Sequence, residues 1–491
     1  MSRLFFRNAA FLTMVEIILK LKGFIFIPLL TRYFGTINYG VWSQVGIVVS
    51  TVTPLLILGT DSAILRYLPG RPLLEQRRYF SAWMVFLIGS ALLCSTLFVF
   101  LQRPLAVLFF GESGEYTKYM PLAAFSLLST FALTTLRNWY RIQNSAKIYG
   151  FISLAQAVFG LATLLIVLVR HLGVYQLVLL NIIADLLVAV WLFGYMMIHY
   201  GIQKPDFTIL SCLIKFGLPL VPAGYAMWGL NTLGRLFLVK YSTLADLGIY
   251  SLCFTLGYMI IQVFVNPIWN LFPNTAAELY NQRKQNELQQ LFNKSVGIII
   301  AIALPSIVGL FIMGDRILGL LATPDFSRGA SVMAIITLGY LFHMLSSYFD
   351  VALGLVHRQY FSTLSIITGA LCTLALNFIL IPRLSILGAA IASAIGFSVQ
   401  FTMSYCIAMV YTELRVDIRF PGKIVAYSVL MGLLVWVAAR YIAVPRVAGL
   451  MLPVIVGFLA YVSLLYVSGV LTPSMMRTAW GGIRGRLFKG A

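Results

Sequence analysis

Groups able to carry chemistry are scarce in this chain. Among its 491 residues are 15 Asp and Glu, 4 His and 5 Cys, and charged residues make up only 10%. The cysteines (Cys94, Cys212, Cys253, Cys372 and Cys406) fall inside or at the edges of apolar runs, with no CxxC pair and no histidine at ligand spacing. They read as small core residues, so neither a metal nor a disulfide is expected. No glycine-rich phosphate loop, HExxH or GxSxG occurs, which leaves out the signatures of nucleotide, zinc-protease and serine-hydrolase chemistry. No enzyme is expected.

Apolar surface is abundant instead. Hydrophobic residues make up 60% of the chain and its mean hydropathy is +0.92, more than a water-soluble core can use. Runs near 20 residues recur along the whole length, each long enough to cross ~30 Å of hydrocarbon. The spacing predicts an all-α polytopic membrane protein with about fourteen spans, near 9–31, 40–64, 80–101, 119–137, 149–169, 174–198, 213–239, 247–269, 295–313, 329–353, 361–380, 387–410, 424–441 and 448–470. The first run holds Glu16, Lys20 and Lys22, so it reads as a span and not as a cleaved signal.

A formal charge of +20 would suggest nucleic acid in a soluble protein. Here it reads as loop charge that sets topology, and no nucleic-acid partner is expected. With the N terminus inside, 22 of the 35 Lys and Arg fall on cytoplasmic segments and 10 on outside ones. That bias places both termini in the cytoplasm. The longest outside interval, near 102–118, is too short to house the chemistry of a membrane polymerase or ligase.

An internal repeat is visible without gaps. Arg32-Tyr33 aligns with Lys240-Tyr241, Asn38 with Asp246, Gly40 with Gly248, Trp42 with Tyr250 and Ser43 with Ser251. A weaker echo pairs Lys147 and Tyr149 with Arg358 and Tyr360. Two six-helix lobes in parallel repeat follow, at 1–200 and 201–412, with two further spans and a basic cytoplasmic tail at 413–491. Sites in such transporters lie between the repeats, near mid-membrane.

Polar stripes mark the same helices. In span 7, Gly224, Trp228, Asn231 and Arg235 share a helical face; in span 8, Ser251, Thr255, Tyr258, Gln262, Asn266 and Trp269 do. The repeat-related spans carry Thr13, Glu16, Lys20 and Gly23, and Ser43, Ser50, Pro54 and Asp61. A helix facing only lipid has no use for such stripes, so the four are expected to wall a wet cavity. Glu16 and Lys20 stand one turn apart and form either an internal ion pair or part of a site. Arg235 has no carboxylate within a turn; it meets one from another span or an anionic ligand, and its planar fork suits a diphosphate. Asp61, Asp185 and Asp350 read as helix-end hydrogen bonders or, with Glu16, as groups for H+ or Na+ coupling. The aromatic residues serve either packing or sugar stacking. Pro28, Pro219 and Pro222 are hinges or tolerated kinks.

Several segments have a familiar form. Leu376–Arg383 followed by Gly388-Ala389-Ala390-Ile391-Ala392 resembles a segment of bacterial polysaccharide transporters, as do Gly217–Pro222, Leu247-Gly248-Ile249-Tyr250-Ser251 and Gly59–Tyr67. These are the Wzx-type lipid-linked oligosaccharide flippases of the multidrug/oligosaccharidyl-lipid/polysaccharide (MOP) superfamily. Two positions depart from the pattern: Gly234-Arg235 stands where Asp-Arg is frequent, and Ser385 where glycine is frequent. The N-terminal signature of lipid II flippases is not recognisable.

The resemblance implies a V-shaped, two-lobed transporter of the MATE type in a bacterial inner membrane, with spans 1, 2, 7 and 8 around a central cavity. The implied substrate is an undecaprenyl-diphosphate-linked glycan, such as an O-antigen or exopolysaccharide repeat unit, flipped by alternating access. Lys20, Lys22 and Arg235 are expected to hold the diphosphate. Asn231, Ser251, Thr255, Tyr258, Gln262 and Trp269 are expected to face the glycan, with the polyprenyl tail left among membrane lipids. A polysaccharide polymerase and co-polymerase are candidate partners, and no cofactor is expected beyond the coupling ion. Competing readings are a cation-coupled multidrug exporter on the same scaffold and a non-transporting scaffold of a glycan-assembly complex.

Overall fold

In hydrocarbon every backbone N–H and C=O must be satisfied within its own segment, so apolar runs of this length fold as helices. The computed structural model describes residues 2–111, 114–143, 145–415, 419–441 and 448–468, and those residues contain helices and no strands. Helices α1 (Ser2–Ile57), α2 (Thr60–Tyr67), α3 (Leu73–Phe100) and α4 (Gln102–Phe110) open the chain. They are followed by α5 (Tyr119–Ile142), α6 (Ala146–Val169), α7 (Val174–His199) and α8 (Thr208–Gly217). The second half holds α9 (Val221–Tyr241), α10 (Leu244–Trp269), α11 (Phe272–Asn281) and α12 (Gln285–Leu321). The chain closes with α13 (Ala330–Leu355), α14 (Tyr360–Tyr411), α15 (Arg419–Tyr441) and α16 (Ala448–Val467).

Two of these helices are too long for one crossing. The 56 residues of α1 would extend ~84 Å if straight, against a ~30 Å core. The run is broken at Gly35 (φ 67°, ψ −169°), and the 52-residue α14 is broken at Ser385 (φ 48°, ψ −125°). Among the described residues, twelve helical stretches are long and apolar enough to cross a membrane. With these two breaks they give the fourteen expected crossings.

Ser385 explains its own departure from the family pattern. A positive φ is strained for any residue with a side chain. Here the hydroxyl compensates: Ser385 Oγ lies 2.8 Å from Ser242 Oγ and donates to Asp246 Oδ2 at 3.4 Å. Span 7 is also interrupted where its prolines fall, by a 3₁₀ turn at Leu218–Leu220 between α8 and α9. Pro28 stays within continuous helix.

The helices form two packed groups. In the first, α3 and α7 pack on α5, while α6 packs on α1 and α7. In the second, α14 packs on α9 and α13, and α13 also meets α10 and α12. The pair α15–α16 lies to one side against α12. The main bridge between the groups is α1 against α10.

The end where α1 begins is called the near end here, and the opposite one the far end. At the far end, arginines donate to backbone carbonyls at the ends of α12, α15 and α16. Arg32 Nη2 donates to Leu320 O (2.5 Å), and Arg316 donates to Ala439 O (2.6 Å) and Gly449 O (2.9 Å).

Two glycine contacts join the groups, one at each end. At the far end Gly40 of α1 faces Gly248 of α10, the two positions related by the repeat. A methyl group on Gly40 would lie 2.2 Å from Leu244 O, and one on Gly248 would lie 2.0 Å from Thr36 O. At the near end Gly59 (φ 66°) faces Gly217; methyl groups there would lie 2.5 Å from Gly217 O and 2.2 Å from Leu58 O respectively. The helical face of span 2 stops just before this corner. With Leu58 and Gly59 both at positive φ, Asp61 sits on the separate α2 and does not continue the stripe of Ser43, Ser50 and Pro54, as the spacing alone predicts.

Candidate functional site

Beneath the far-end crossing lies Arg235, on α9. Its guanidinium carbon is 4.4 Å from the centre of the Phe254 ring, a cation–π distance. The phenols of Tyr39, Tyr250 and Tyr340 lie close enough to act on its charge. Its Nε is buried without a hydrogen-bond partner. Among the described residues no carboxylate comes within ion-pair distance of it, the four pairs present being Arg71–Glu75, Lys118–Glu115, Lys284–Glu287 and Arg328–Asp246. Tyr39 neighbours Gly40 on α1, so closure of the glycine crossing is what brings this phenol to the arginine, whereas Tyr250 and Tyr340 belong to the same helix group as Arg235.

The glycine before Arg235 is accounted for by the same packing. A Cβ at Gly234 would stand 3.1 Å from the Tyr250 hydroxyl and 3.3 Å from Ala389 Cβ. An aspartate has no room there unless α10 or α14 shifts. The arginine of this chain therefore lies against the Phe254 face, with no carboxylate neighbour among the described residues.

The rest of the span 7 and 8 stripe splits into distinct surroundings. Asn231 Nδ2 donates to Met227 O (2.7 Å), and Asn231 Oδ1 accepts from the Tyr340 hydroxyl. Gln262 hydrogen-bonds Tyr258, whose ring packs on Tyr340 at 4.6 Å. Thr255 Oγ1 donates to Ser251 O (2.8 Å), while Ser251 is 1% exposed and its Oγ has no partner. Trp228 Nε1 reaches across to Ser50 Oγ of α1 at 3.4 Å, and the Tyr225 hydroxyl donates to Thr51 O at 2.8 Å. Trp269 lies apart at the near end, edge-on to Tyr348 at 5.3 Å.

Lys22 faces away from Arg235, into the first group of helices. Its Nζ lies 2.8 Å from where a Cβ on Gly160 of α6 would stand, with Asn181 Oδ1 of α7 beside the same point. Its ammonium also lies 5.4 Å from the Phe26 ring. Around it, Thr163 Oγ1 donates to Asn181 Oδ1 (2.8 Å) and Gln156 Nε2 donates to Asp185 Oδ1 (2.9 Å). Asp185 is close enough to feel the charges of both Arg137 and Lys22. The first group thus contains a polar layer of opposite charges and amides, and Lys22 and Arg235 are not brought together. Glu16 and Asp61 are partly exposed. The side chain of Lys20 lies outside the described residues.

Asp350 belongs to a third cluster, at the near end of α13. Its carboxylate accepts from Ser404 Oγ (2.9 Å) and Ser346 Oγ (3.5 Å), and those two hydroxyls lie 3.0 Å apart. Ser346, one helical turn before Asp350, could have been found by spacing, whereas Ser404 of α14 carried no signal in the sequence. His343 is held separately, its Nδ1 at 3.3 Å from Gln400 Oε1.

The chain is similar to several known proteins in sequence and in fold. The capsular polysaccharide biosynthesis protein CapF of Staphylococcus aureus is 29% identical over 215 residues, covering 42% of this chain and 52% of that protein. The probable low-salt glycan biosynthesis flippase Agl15 of Haloferax volcanii is 18% identical over 275 residues, 56% of this chain and 58% of that protein. The matched stretches therefore span little more than half the length of these relatives.

Among solved structures, the lipid II flippase MurJ in its inward closed conformation superposes with a TM-score of 0.76 at 14% identity, covering 92% of this chain and 97% of that one. An inward-facing MATE multidrug transporter of the MOP superfamily superposes at 0.64 with 12% identity, covering 81% and 97%. These likenesses fix the architecture as a MOP-type multipass membrane fold. The sequence profile described as "Polysaccharide biosynthesis protein" matches residues 29–331, more than half of the chain and the part that holds both glycine crossings and Arg235. The chain belongs to the polysaccharide biosynthesis protein family.

Proposed function

We propose that this protein is a transporter without enzymatic activity, one that flips a polyprenyl-diphosphate-linked oligosaccharide across a bacterial inner membrane by alternating access. The observation that carries this reading is Arg235: a permanent cation inside the membrane, among phenols and a benzyl ring, with no carboxylate partner. A buried cation of this kind is expensive unless something anionic visits it. A diphosphate matches both its charge and its planar fork of donors. The same charge disfavours a cationic drug as the cargo. Family membership points to a glycan on the lipid, and the names of CapF and Agl15 agree with it.

Alternating access gives the glycine crossings a role. In this reading the near end faces the cytoplasm, where both termini lie, and Gly40 and Gly248 form the closed outer gate. The gate holds Arg235 in its aromatic cage. When α1 and α10 part, Tyr39 leaves with α1 and the Arg235 site opens to the outer face, where the diphosphate is released. Lys22 and Asp185 sit in the polar layer of the first lobe, which makes Asp185 the carboxylate best placed to bind H+ or Na+ as the coupling ion. A polysaccharide polymerase and co-polymerase would receive the flipped unit.

The test is transport of a fluorescent lipid-linked glycan in proteoliposomes, with and without a pH or Na+ gradient. Wild-type protein is expected to move the lipid and Arg235→Ala to be slowed ~100-fold, the scale set by losing a buried charge-assisted contact. Equal transport by wild type and Arg235→Ala would falsify the diphosphate assignment.

A further inference from the structure

The near end of the second helix group holds a cavity of about 390 Å³ lined by Trp269, Ser347, Asp350, Gly354 and Gln359 among others. Its size falls within the ~300–1,000 Å³ typical of small-molecule sites. We infer that this cavity is a sugar subsite, taking a neutral sugar at the end of the glycan remote from the diphosphate. The inference rests on the flippase reading and adds to it a second recognition point.

The chemistry of the lining selects that ligand. Trp269 presents an indole held in a fixed orientation by its edge-on contact with Tyr348 (5.3 Å, 71°). An aromatic face is electron-rich and attracts the slightly positive C–H face of a pyranose. Asp350 is steered by two hydroxyls from two helices, Ser346 of α13 and Ser404 of α14. Two donors leave a carboxylate with lone pairs to spare, and it can accept from two further hydroxyls. Gln359 stands exposed at the same cavity and brings both an amide donor and an acceptor. A ring face, a carboxylate and an amide together suit a polyol.

Charge and distance keep the diphosphate elsewhere. The lining holds no Lys or Arg, and Asp350 forms no ion pair within 4 Å among the described residues, so the cavity offers a phosphate no cationic partner. Along α10, Trp269 follows Phe254, the ring under Arg235, by 15 residues. That is roughly 22 Å of helix, the length of a short oligosaccharide and not of one sugar. An anion site at Arg235 of α9 and a sugar site at Trp269 of α10 would thus be separated by the body of the substrate. A glycan of one sugar bound at Arg235 would not reach Trp269.

The experiment compares two probes on purified protein in nanodiscs: the lipid-linked glycan pool extracted from the native host, and bare undecaprenyl diphosphate. Affinities are read by native mass spectrometry. Wild-type protein is expected to prefer the glycan-bearing lipid by at least ~10-fold, the scale of one good polar contact plus one aromatic contact. Trp269→Ala and Gln359→Ala should erase most of that preference while leaving the affinity for bare undecaprenyl diphosphate unchanged, and Trp269→Tyr should keep it. Gln359 is exposed, so its variant tests the site without disturbing a core. Equal wild-type affinity for the two probes, or a preference that survives both alanine variants, overturns the sugar subsite and leaves the flippase reading standing. Binding of neither probe by wild type overturns both.

Discussion

The two glycine crossings look alike in sequence and differ in kind. Gly40 and Gly248 are repeat-related and sit in regular helix, so their need for glycine is purely one of space: two backbones pass too close for a Cβ. Gly59 and Gly217 are not repeat-related. Gly59 adopts φ 66° at the corner between α1 and α2, so a side chain there is opposed by backbone strain as well as by space. The far end is a helix-on-helix crossing, whereas at the near end the Gly59 corner packs on the helical Gly217. The far-end contact is limited by space alone, and the near-end contact by space and backbone conformation together.

The largest effect is expected at the far end. In Gly248→Ala the new methyl would lie 2.0 Å from Thr36 O, well inside van der Waals contact, and α1 and α10 must part. Glycan export should fall to background, and a cysteine introduced at Thr36 should gain labelling by an impermeant maleimide. If export and labelling stay at wild-type levels, the crossing is not a gate.

Arg235→Ala comes next, with a ~100-fold loss of affinity for undecaprenyl diphosphate. Arg235→Lys should recover little of it, because an ammonium lacks the planar fork and the stacking surface. Full recovery with lysine would reduce the site to a point charge.

At the near end, Gly59→Ala should cost about 1–2 kcal/mol from the left-handed backbone alone, with the contact to Gly217 O adding to it. Thermal unfolding should report the loss while maleimide labelling at position 36 remains low. A labelling increase equal to that of Gly248→Ala would erase the difference between the two crossings.

Ser385→Gly should have the smallest effect. Relief of positive φ gains roughly 1 kcal/mol, and loss of the hydroxyl bonds to Ser242 and Asp246 removes ~1 kcal/mol. Unfolding should shift little in either direction; a large shift would mean that one of these two effects dominates.

Legibility in the sequence followed the range of each interaction. The fourteen crossings are local properties, since hydropathy over ~20 residues decides them, and the structure breaks α1 and α14 at Gly35 and Ser385, between the spans expected there. The repeat was legible because Gly40 and Gly248 keep a common offset. Helical periodicity also placed Arg235, Asn231 and Tyr258 on faces turned toward other helices. Periodicity could not tell which neighbour each face would meet. Lys22 and Arg235 share a charge and a membrane, yet one enters the first helix group and the other is caged in the second. Asp61 fell off its stripe because two residues at positive φ end the helix before it.

The sequence by itself determined that this chain crosses a membrane about fourteen times as two related halves, and that a few polar groups must be buried with it. Hydrophobic burial and helix periodicity act within a segment, so composition and spacing carry them. Tertiary structure alone decided that two glycines 208 positions apart touch, that Arg235 of α9 lies on the Phe254 ring of α10, and that serines of α13 and α14 orient Asp350. Those are contacts between helices, set by crossing angle and rotation about each axis, and no single segment contains them.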